Sequence, residues 1–226
     1  MTVTDSPITP PDFWDRQAPK YARKPIDDPA AYERKLTRMR TLLKPTDRVL
    51  EIGCGTGSTA LLLAPSVANY IATDTSHSMI DIATAKLGPS APKNLTFRQA
   101  AADAEVEGGP FDVICAFSLL HLVPDIPAVL DRARAMLKPD GLLITKTPCL
   151  RSVALPIRWM VRGLEAVNVA PKVHFFTRAD LIQYHHDAGF DVDEITYFAK
   201  KQTSPFMVAC PPSHASAGLR AVPDTR

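Results

Sequence analysis

Three glycines spaced two apart, Gly53, Gly55 and Gly57, follow the run Val49–Ile52, whose single charge is Glu51. Glycine is needed where a chain takes unusual dihedrals or lets a ligand approach its backbone. The pattern reads as a strand ending in a tight loop ahead of a helix at Ser58–Ala68. The first turn of that helix offers free N–H groups and partial positive charge, as the nucleotide end of a βαβ unit requires. A dinucleotide fingerprint wants G-x-G-x-x-G, but Ser58 stands where the third glycine belongs, and no P-loop lysine follows.

A carboxylate stands at the ribose distance. Tyr70-Ile-Ala-Thr-Asp74 is an apolar strand ending in an acid about 20 residues beyond the glycines, where both ribose hydroxyls can be accepted. Ser76 suits the N-cap of the next helix, with Met79, Ile80, Ala83 and Leu87 as its buried stripe and Gly88 as its end. Asp74 also reads as a plain helix-start residue and Met79 as plain core. Asn94–Gln99 predicts a third strand and Ala100–Glu105 a loop toward the base. Phe111–Phe117 predicts a buried fourth strand, followed by Ser118-Leu-Leu-His-Leu122; Met136–Ile144 holds a Pro-Asp-Gly turn and the fifth strand.

Taken in order over Val49–Thr147, these segments resemble the motifs of the class I S-adenosylmethionine (SAM) methyltransferases, of the small-molecule type with a methyltransferase-11/25-like domain. The matches are E-x-G-x-G-x-G, D-x-S-x-x-M, an Asp-Ala pair at Asp103-Ala104, F-D-x-V followed by L-H, and L-K-P-D-G-x-L-x-I, where Asp140 replaces the usual first glycine. The resemblance implies an α/β fold: a doubly wound, Rossmann-like seven-stranded sheet with the seventh strand antiparallel, an N-terminal helical lid and an insertion after the fifth strand. It implies SAM as cofactor and S-adenosylhomocysteine as product. The contacts it implies are Glu51, Gly53, Cys54, Gly55, Asp74, Thr75, Met79, Ala102, Asp103, Ala104 and Phe117. The register of the Asp103-Ala104 pair is open by a residue or two, because Ala100-Ala-Ala102 precedes it.

Two segments outside that half must choose the acceptor. Asp12–Tyr21 is a short amphipathic start that resembles the family's lid, with Tyr21 over cofactor or acceptor, or simply packing. Asp28-Pro29 opens a helix whose Tyr32, Leu36, Met39 and Leu43 share one face. Cys149–Thr177 is too long and apolar for a plain connection. Val153–Val169, with Trp159, Arg158 and Arg162, reads as the roof of an acceptor pocket, a membrane-surface helix, or core cover. Thr177 and Asp180 form a capping signal for Arg178–Ala188, and Gly189–Ile195 and Pro205–Cys210 alternate as the last two strands. The division expected is lid helices over 1–45, SAM-binding core over 46–148, acceptor insertion over 149–176, the C-terminal part of the sheet over 177–210, and a disordered tail over 211–226.

The acceptor pocket is expected to include Tyr21, His121, Trp159, His174 and Phe175. His121 follows the fourth strand and reads either as a base or as a hydrogen-bonded packing residue; Tyr21 is the other catalytic candidate. His185 and His186 read as surface residues, and Arg151 and Arg158 as solvated or as anchors for an acidic acceptor. A net charge of +2 argues against a nucleic-acid partner, and four scattered cysteines lack metal-ligand spacing, so no metal and a reduced cytoplasmic compartment are expected. No basic-then-apolar leader and no run of 18 apolar residues occurs. The expected activity is in-line transfer of the sulfonium methyl to an O, S or N atom of a small molecule. The rivals are a SAM-binding regulator without turnover and a lipid methyltransferase at a membrane surface.

Overall fold

Strand residues alternate between two faces, and the apolar ones divide accordingly. Leu50, Ile52, Ile114 and Leu143 join one core cluster, while Val49, Val113, Cys115 and Ile144 join the other. Such a sheet must be covered on both sides. A computed structural model describes residues 12–152 and 170–212 of the chain.

The strands are β1 (Arg48–Ile52), β2 (Asn69–Asp74), β3 (Leu95–Gln99), β4 (Phe111–Phe117), β5 (Leu137–Lys146), β6 (Asp191–Thr196) and β7 (Phe206–Cys210). They form one sheet in the order β3-β2-β1-β4-β5-β7-β6. β1 to β5 pair in parallel, and β7 runs antiparallel to both β5 and β6. The helices are α1 (Phe13–Arg23), α2 (Pro29–Leu42), α3 (Ser58–Leu63), α4 (His77–Ala85), α5 (Ile126–Met136) and α6 (Arg178–Asp187). α5 and α6 cover the first cluster, and α2 and α3 the second. The chain runs outward from β1 through β2 to β3 and then crosses back to β4 on the other side of β1, so a crevice opens outside the carboxyl ends of β1 and β4.

The expected caps form. Asp28 accepts the Ala31 N–H at 2.9 Å, and Thr177 and Asp180 make a reciprocal capping box at the start of α6. Two helix ends and one burial pattern differ from expectation. The helix from Ser58 stops at Leu63 and tightens into a 3-10 turn at Ala64–Ser66, because Pro65 has no N–H to continue the ladder. α4 ends at Ala85 rather than at Gly88, with Lys86 as its cap. β7 is buried at every position instead of alternating, because it lies between β5 and β6 and is covered on both faces. The Pro-Asp-Gly turn becomes an irregularity in β5, where the register with β4 jumps between Phe111 and Val113.

α2 is tied to the far edge of the sheet. Arg38 forms an ion pair with Glu194 of β6, and the Arg34 Nε donates to the Phe198 carbonyl at 3.1 Å. Among the described residues no helix is long and apolar enough to cross a membrane.

Candidate functional site

The crevice is a cavity of about 1190 Å³, walled by the glycine loop, the ends of β2, β4 and β5, parts of α1 and α2, and residues 170–175. At the glycine loop, Gly53 and Gly57 have φ of 71° and 73°, in the left-handed region. Neither has room for a side chain: a Cβ would meet Leu119 at 2.7 Å from Gly53 and the Phe97 ring at 2.5 Å from Gly57. Over Gly55 the space is open except for Tyr21, whose ring lies 3.7 Å from where a Cβ would stand. Tyr21 of α1 therefore lies across the loop, half exposed.

Asp74 ends β2 directly beside this loop. One carboxylate oxygen accepts the Gly55 N–H at 2.8 Å and the other the Ser76 N–H at 3.0 Å. Burial pushes its carboxyl up, and those backbone bonds pull it part of the way back. A carboxylate has about four acceptor sites, so two remain for ribose hydroxyls. Ser76 caps α4 by accepting the Met79 N–H at 3.1 Å, and its own hydroxyl donates to Asp15 at 2.7 Å. Asp15 also accepts the Ser78 N–H at 2.9 Å, so α1 is latched onto the first turn of α4. The Ser76 bond, followed by the Ser78 backbone bond, holds the Asp15 carboxyl below the usual range.

Beneath the loop lies a charge pair of which the sequence reading identified one member. Glu51 is 2% exposed and accepts the Tyr70 hydroxyl at 2.9 Å. Lys35 of α2 is also buried; its ammonium donates to Thr59 at 3.3 Å and sits 4.2 Å from the Phe117 ring centre and 4.6 Å from that of Tyr32. Burial pushes the Glu51 carboxyl up and the Lys35 ammonium down, each partly opposed by the other's charge. Both line the cavity, yet no direct ion pair joins them among the described residues. The available signal was a lysine inside the apolar stripe Tyr32–Leu36–Met39.

The other expected donor-site residues divide. Cys54, Thr75, Met79, Ala102, Asp103 and Phe117 line the cavity; Ala104 does not, since its N–H turns back to the Ala101 carbonyl at 3.1 Å. The lining segment is Ala100–Asp103, so the loop register falls earlier than the Asp-Ala pair suggests. Burial raises the Cys54 thiol far above its ordinary range, which leaves it unreactive.

The rest of the cavity wall includes Leu119, His121 and Leu122 after β4, Lys146 at the end of β5, and Val173 and Phe175. Burial, and then the neighbouring His174, push the His121 imidazole down to about 4, so it is neutral at physiological pH. Its Nδ1 is buried without a hydrogen-bond partner among the described residues. His174 is outside the cavity wall, contrary to expectation. Its N–H donates to the His121 carbonyl and its Nε2–H to the Val123 carbonyl, both at 2.8 Å, so it ties residues 170–175 to the loop after β4. Trp159 and Arg158 lie outside the described residues.

His185 corrects a second expectation: it is fully buried rather than on the surface. Its Nδ1–H donates to the Leu181 carbonyl at 2.8 Å, so its Nε2 accepts the Thr145 hydroxyl at 3.1 Å. The helix period puts it one turn after Leu181, on the face that meets β5. Arg151 makes its bond through its backbone N–H, to Phe176 at 3.2 Å, and is not in the cavity wall. The four cysteines are free thiols, and no cluster of three or more metal-ligating side chains occurs among the described residues.

The cavity has what SAM needs: a loop held open by glycines, the Asp74 carboxylate braced on it, and opposed buried charges beneath it. A family of methyltransferase domains, Methyltransf_23, matches residues 21–195, well over half the chain. The ubiquinone biosynthesis O-methyltransferase of Azorhizobium caulinodans is 28% identical over 193 residues, covering 76% of this chain and 74% of that protein. The demethylmenaquinone methyltransferase of Lactococcus lactis subsp. lactis is 34% identical over 146 residues; the match spans 60% of this chain and little more than half, 56%, of that relative. Magnesium protoporphyrin IX methyltransferase from Synechocystis PCC 6803, solved with bound S-adenosylhomocysteine, shares the fold at a TM-score of 0.67 and 18% identity, over 88% of this chain and 93% of that one. With the glycine loop, the ribose acid and the seven-stranded order all in place, the chain belongs to the methyltransferase-domain family and is a SAM-dependent methyltransferase.

Proposed function

We propose that the chain transfers the sulfonium methyl of SAM in line to an O, S or N nucleophile on a small, largely apolar acceptor. The observation that carries this reading is one cavity with two chemically different ends. Its volume of about 1190 Å³ exceeds the roughly 300–1,000 Å³ of a pocket for one ligand. One end offers Lys35, Glu51 and Asp74; the other offers, among the described residues, Leu119, Leu122, Val173 and Phe175 beside the cation Lys146. The names of the ubiquinone and demethylmenaquinone relatives support an apolar acceptor.

On this reading Asp74 takes the ribose, Met79 and Ala100–Asp103 flank the adenine, and Glu51 and Lys35 face the amino and carboxylate groups of the methionine end. When bound, SAM supplies an electrophilic methyl on a positively charged sulfur. The protein's part is to hold the acceptor in line and exclude water, with Tyr21 and Trp14 of α1 over the cavity; orientation of this kind supplies several kcal/mol of the barrier. His121 is too weak a base at neutral pH to take an acceptor's proton, because general bases work best with a pKa near the operating pH. It acts as an orienting contact. Residues 1–45 serve as lid and 149–176 as acceptor wall around the 46–148 core.

The test is transfer of labelled methyl from SAM to a panel of phenols, carboxylic acids, thiols, amines and phospholipids. Turnover on a small apolar acceptor is the expected result. Tight SAM binding with no turnover on any class would replace this reading with that of a regulatory SAM-binding protein, and turnover on phospholipid alone would point to a membrane-surface enzyme.

A further inference from the structure

Among the described residues Lys146 is a cation in the cavity wall that the proposed methyl transfer does not use. Strand parity fixes its direction. Ile144 packs in the α2-side core, Thr145 reaches His185 of α6 on the opposite face, and Lys146 therefore returns to the α2 side, in register with Phe117 of β4 and Phe206 of β7. It lines the cavity, and its ammonium has no hydrogen bond or ion pair among the described residues, although its carbonyl accepts the Ser118 N–H at 2.6 Å. The carboxylates of the same wall are engaged elsewhere. Glu51 accepts from Tyr70, Asp74 from Gly55 and Ser76, and Asp27 pairs with Lys24; Asp28 and Asp125 cap α2 and α5. Asp103 lies exposed at the adenine end.

The charge balance is therefore uneven. Lys35 and Glu51 oppose one another, the donor's sulfonium adds positive charge, and Lys146 adds more with no free acid among the described residues to answer it. An ammonium is a compact, strongly hydrated charge, and burying it against apolar walls is costly unless a hard anion meets it. Burial does push Lys146 down, and its charge lowers Lys35 further.

Resting on the methyltransfer reading, we infer that Lys146 selects an anionic-oxygen acceptor: a carboxylate or ionised phenol on an apolar body, with the ammonium beside the oxygen to be methylated. The ammonium stabilises the ionised form, so the proton has left to solvent before transfer and no protein base is required. The oxygen lone pair then forms the O–C bond while the C–S bond breaks toward sulfur. The negative oxygen and positive sulfur are both neutralised, and no proton moves in the step.

The experiment measures binding to the full chain, saturated with S-adenosylhomocysteine, of 2-naphthoate, 4-nitrophenolate and neutral 2-naphthylmethanol by calorimetry. It uses wild type, Lys146→Met and Lys146→Arg, with the affinity for S-adenosylhomocysteine measured alongside. In wild type at least one of the two anions is expected to bind more tightly than the alcohol. Lys146→Met should weaken that anion about 10-fold or more, the effect of losing one charge-assisted hydrogen bond, and Lys146→Arg should restore most of it. The alcohol and S-adenosylhomocysteine should be unaffected. Labelled-methyl assays with the two anions then separate ester from ether formation.

Equal binding of alcohol and anions by wild type, or no anion binding at all, overturns the inference. So does a loss of S-adenosylhomocysteine affinity in Lys146→Met with anion preference retained, which would assign Lys146 to the donor's carboxylate. Loss of methyl transfer in both variants with the anion preference intact in Lys146→Met overturns it as well, because Lys146 would then act on the transfer and not on acceptor selection. If Lys146→Met does not fold, the arginine variant and Lys146→Gln carry the comparison. Failure of the methyltransfer reading shows as no turnover on any acceptor, and leaves the binding measurements standing.

Discussion

At the donor end Asp74 has both oxygens on backbone N–H groups, Glu51 is answered by Tyr70, and the glycine loop is fixed between Leu119 and Phe97. At the end proposed for the acceptor, barely beyond the same strands, His121 Nδ1 is buried without a hydrogen-bond partner and the Lys146 ammonium without an ion pair, both among the described residues. The donor end is thus closed by its own hydrogen bonds before any ligand arrives, which lowers the ordering cost of binding. The acceptor end keeps polar groups whose partners must come from the ligand, since a buried group left unmatched is costly. One end is preorganised, and the other is specified by what it lacks.

The largest test of that contrast is Gly57→Val. A branched side chain at φ 73°, with the Phe97 ring in its path, should abolish SAM binding by calorimetry and lower the melting temperature. Retained SAM affinity would mean the loop is not held as rigidly as the packing implies. Next in size is Asp74→Ala, which removes the ribose acid and the brace on Gly55 together. Loss of hydrogen bonds to a charged group, at about 1.5–3 kcal/mol, should weaken SAM by about 10- to 100-fold. Lys35→Met is expected to fall in the same range or somewhat below. It leaves Glu51 without its opposing charge, so the Glu51 carboxyl should rise further, and SAM affinity should drop more at low pH, where that carboxyl becomes neutral.

His121→Ala probes the other end. A group titrating at about 4 is already neutral from pH 6 to 8, so the substitution should leave the shape of the pH–rate profile in that window unchanged, with kcat reduced less than about 10-fold. Loss of an ascending limb between pH 6 and 7 in the variant would restore the base assignment.

The smallest effect belongs to Asp15→Ala, which releases α1 from α4 and should cost SAM affinity a few-fold, read through fluorescence of Trp14 in the cavity wall. The sign of its pH dependence follows from the direction of the shift. Because the folded carboxyl is held below its unfolded value, the latch contributes fully above the ordinary carboxylate range and is lost as pH falls through the lowered value.

Much of the donor end was legible because its chemistry is local in sequence. Glycines at 53, 55 and 57 sit at one strand end, and Asp74, Ser76 and Met79 follow one another across one strand–helix junction. A spacing rule finds such residues without knowing what lies across from them. Ala104 was misread because a run of small residues carries no register, and the turn bond to Ala101 is invisible in a string of alanines. Lys35 was passed over because a lysine in an apolar stripe reads as an interruption until Glu51, from another element, is seen beneath the same cavity.

The histidines divide on the same principle. His185 read as a surface residue, and only the packing of α6 against β5 buries it against Thr145. His174 read as a pocket residue, but its bond to Val123 makes it a tie between loops, and its neighbours Val173 and Phe175 take the wall instead. Sequence by itself determined the order of strands and helices, the glycine loop and the acid at the end of β2, because these depend on periodicity, backbone dihedrals and short spacings. The tertiary structure decided which charges oppose one another, which imidazole is neutral and which cation has no ion pair among the described residues. Those depend on distances between residues far apart in the chain and on how completely the fold removes water from around them.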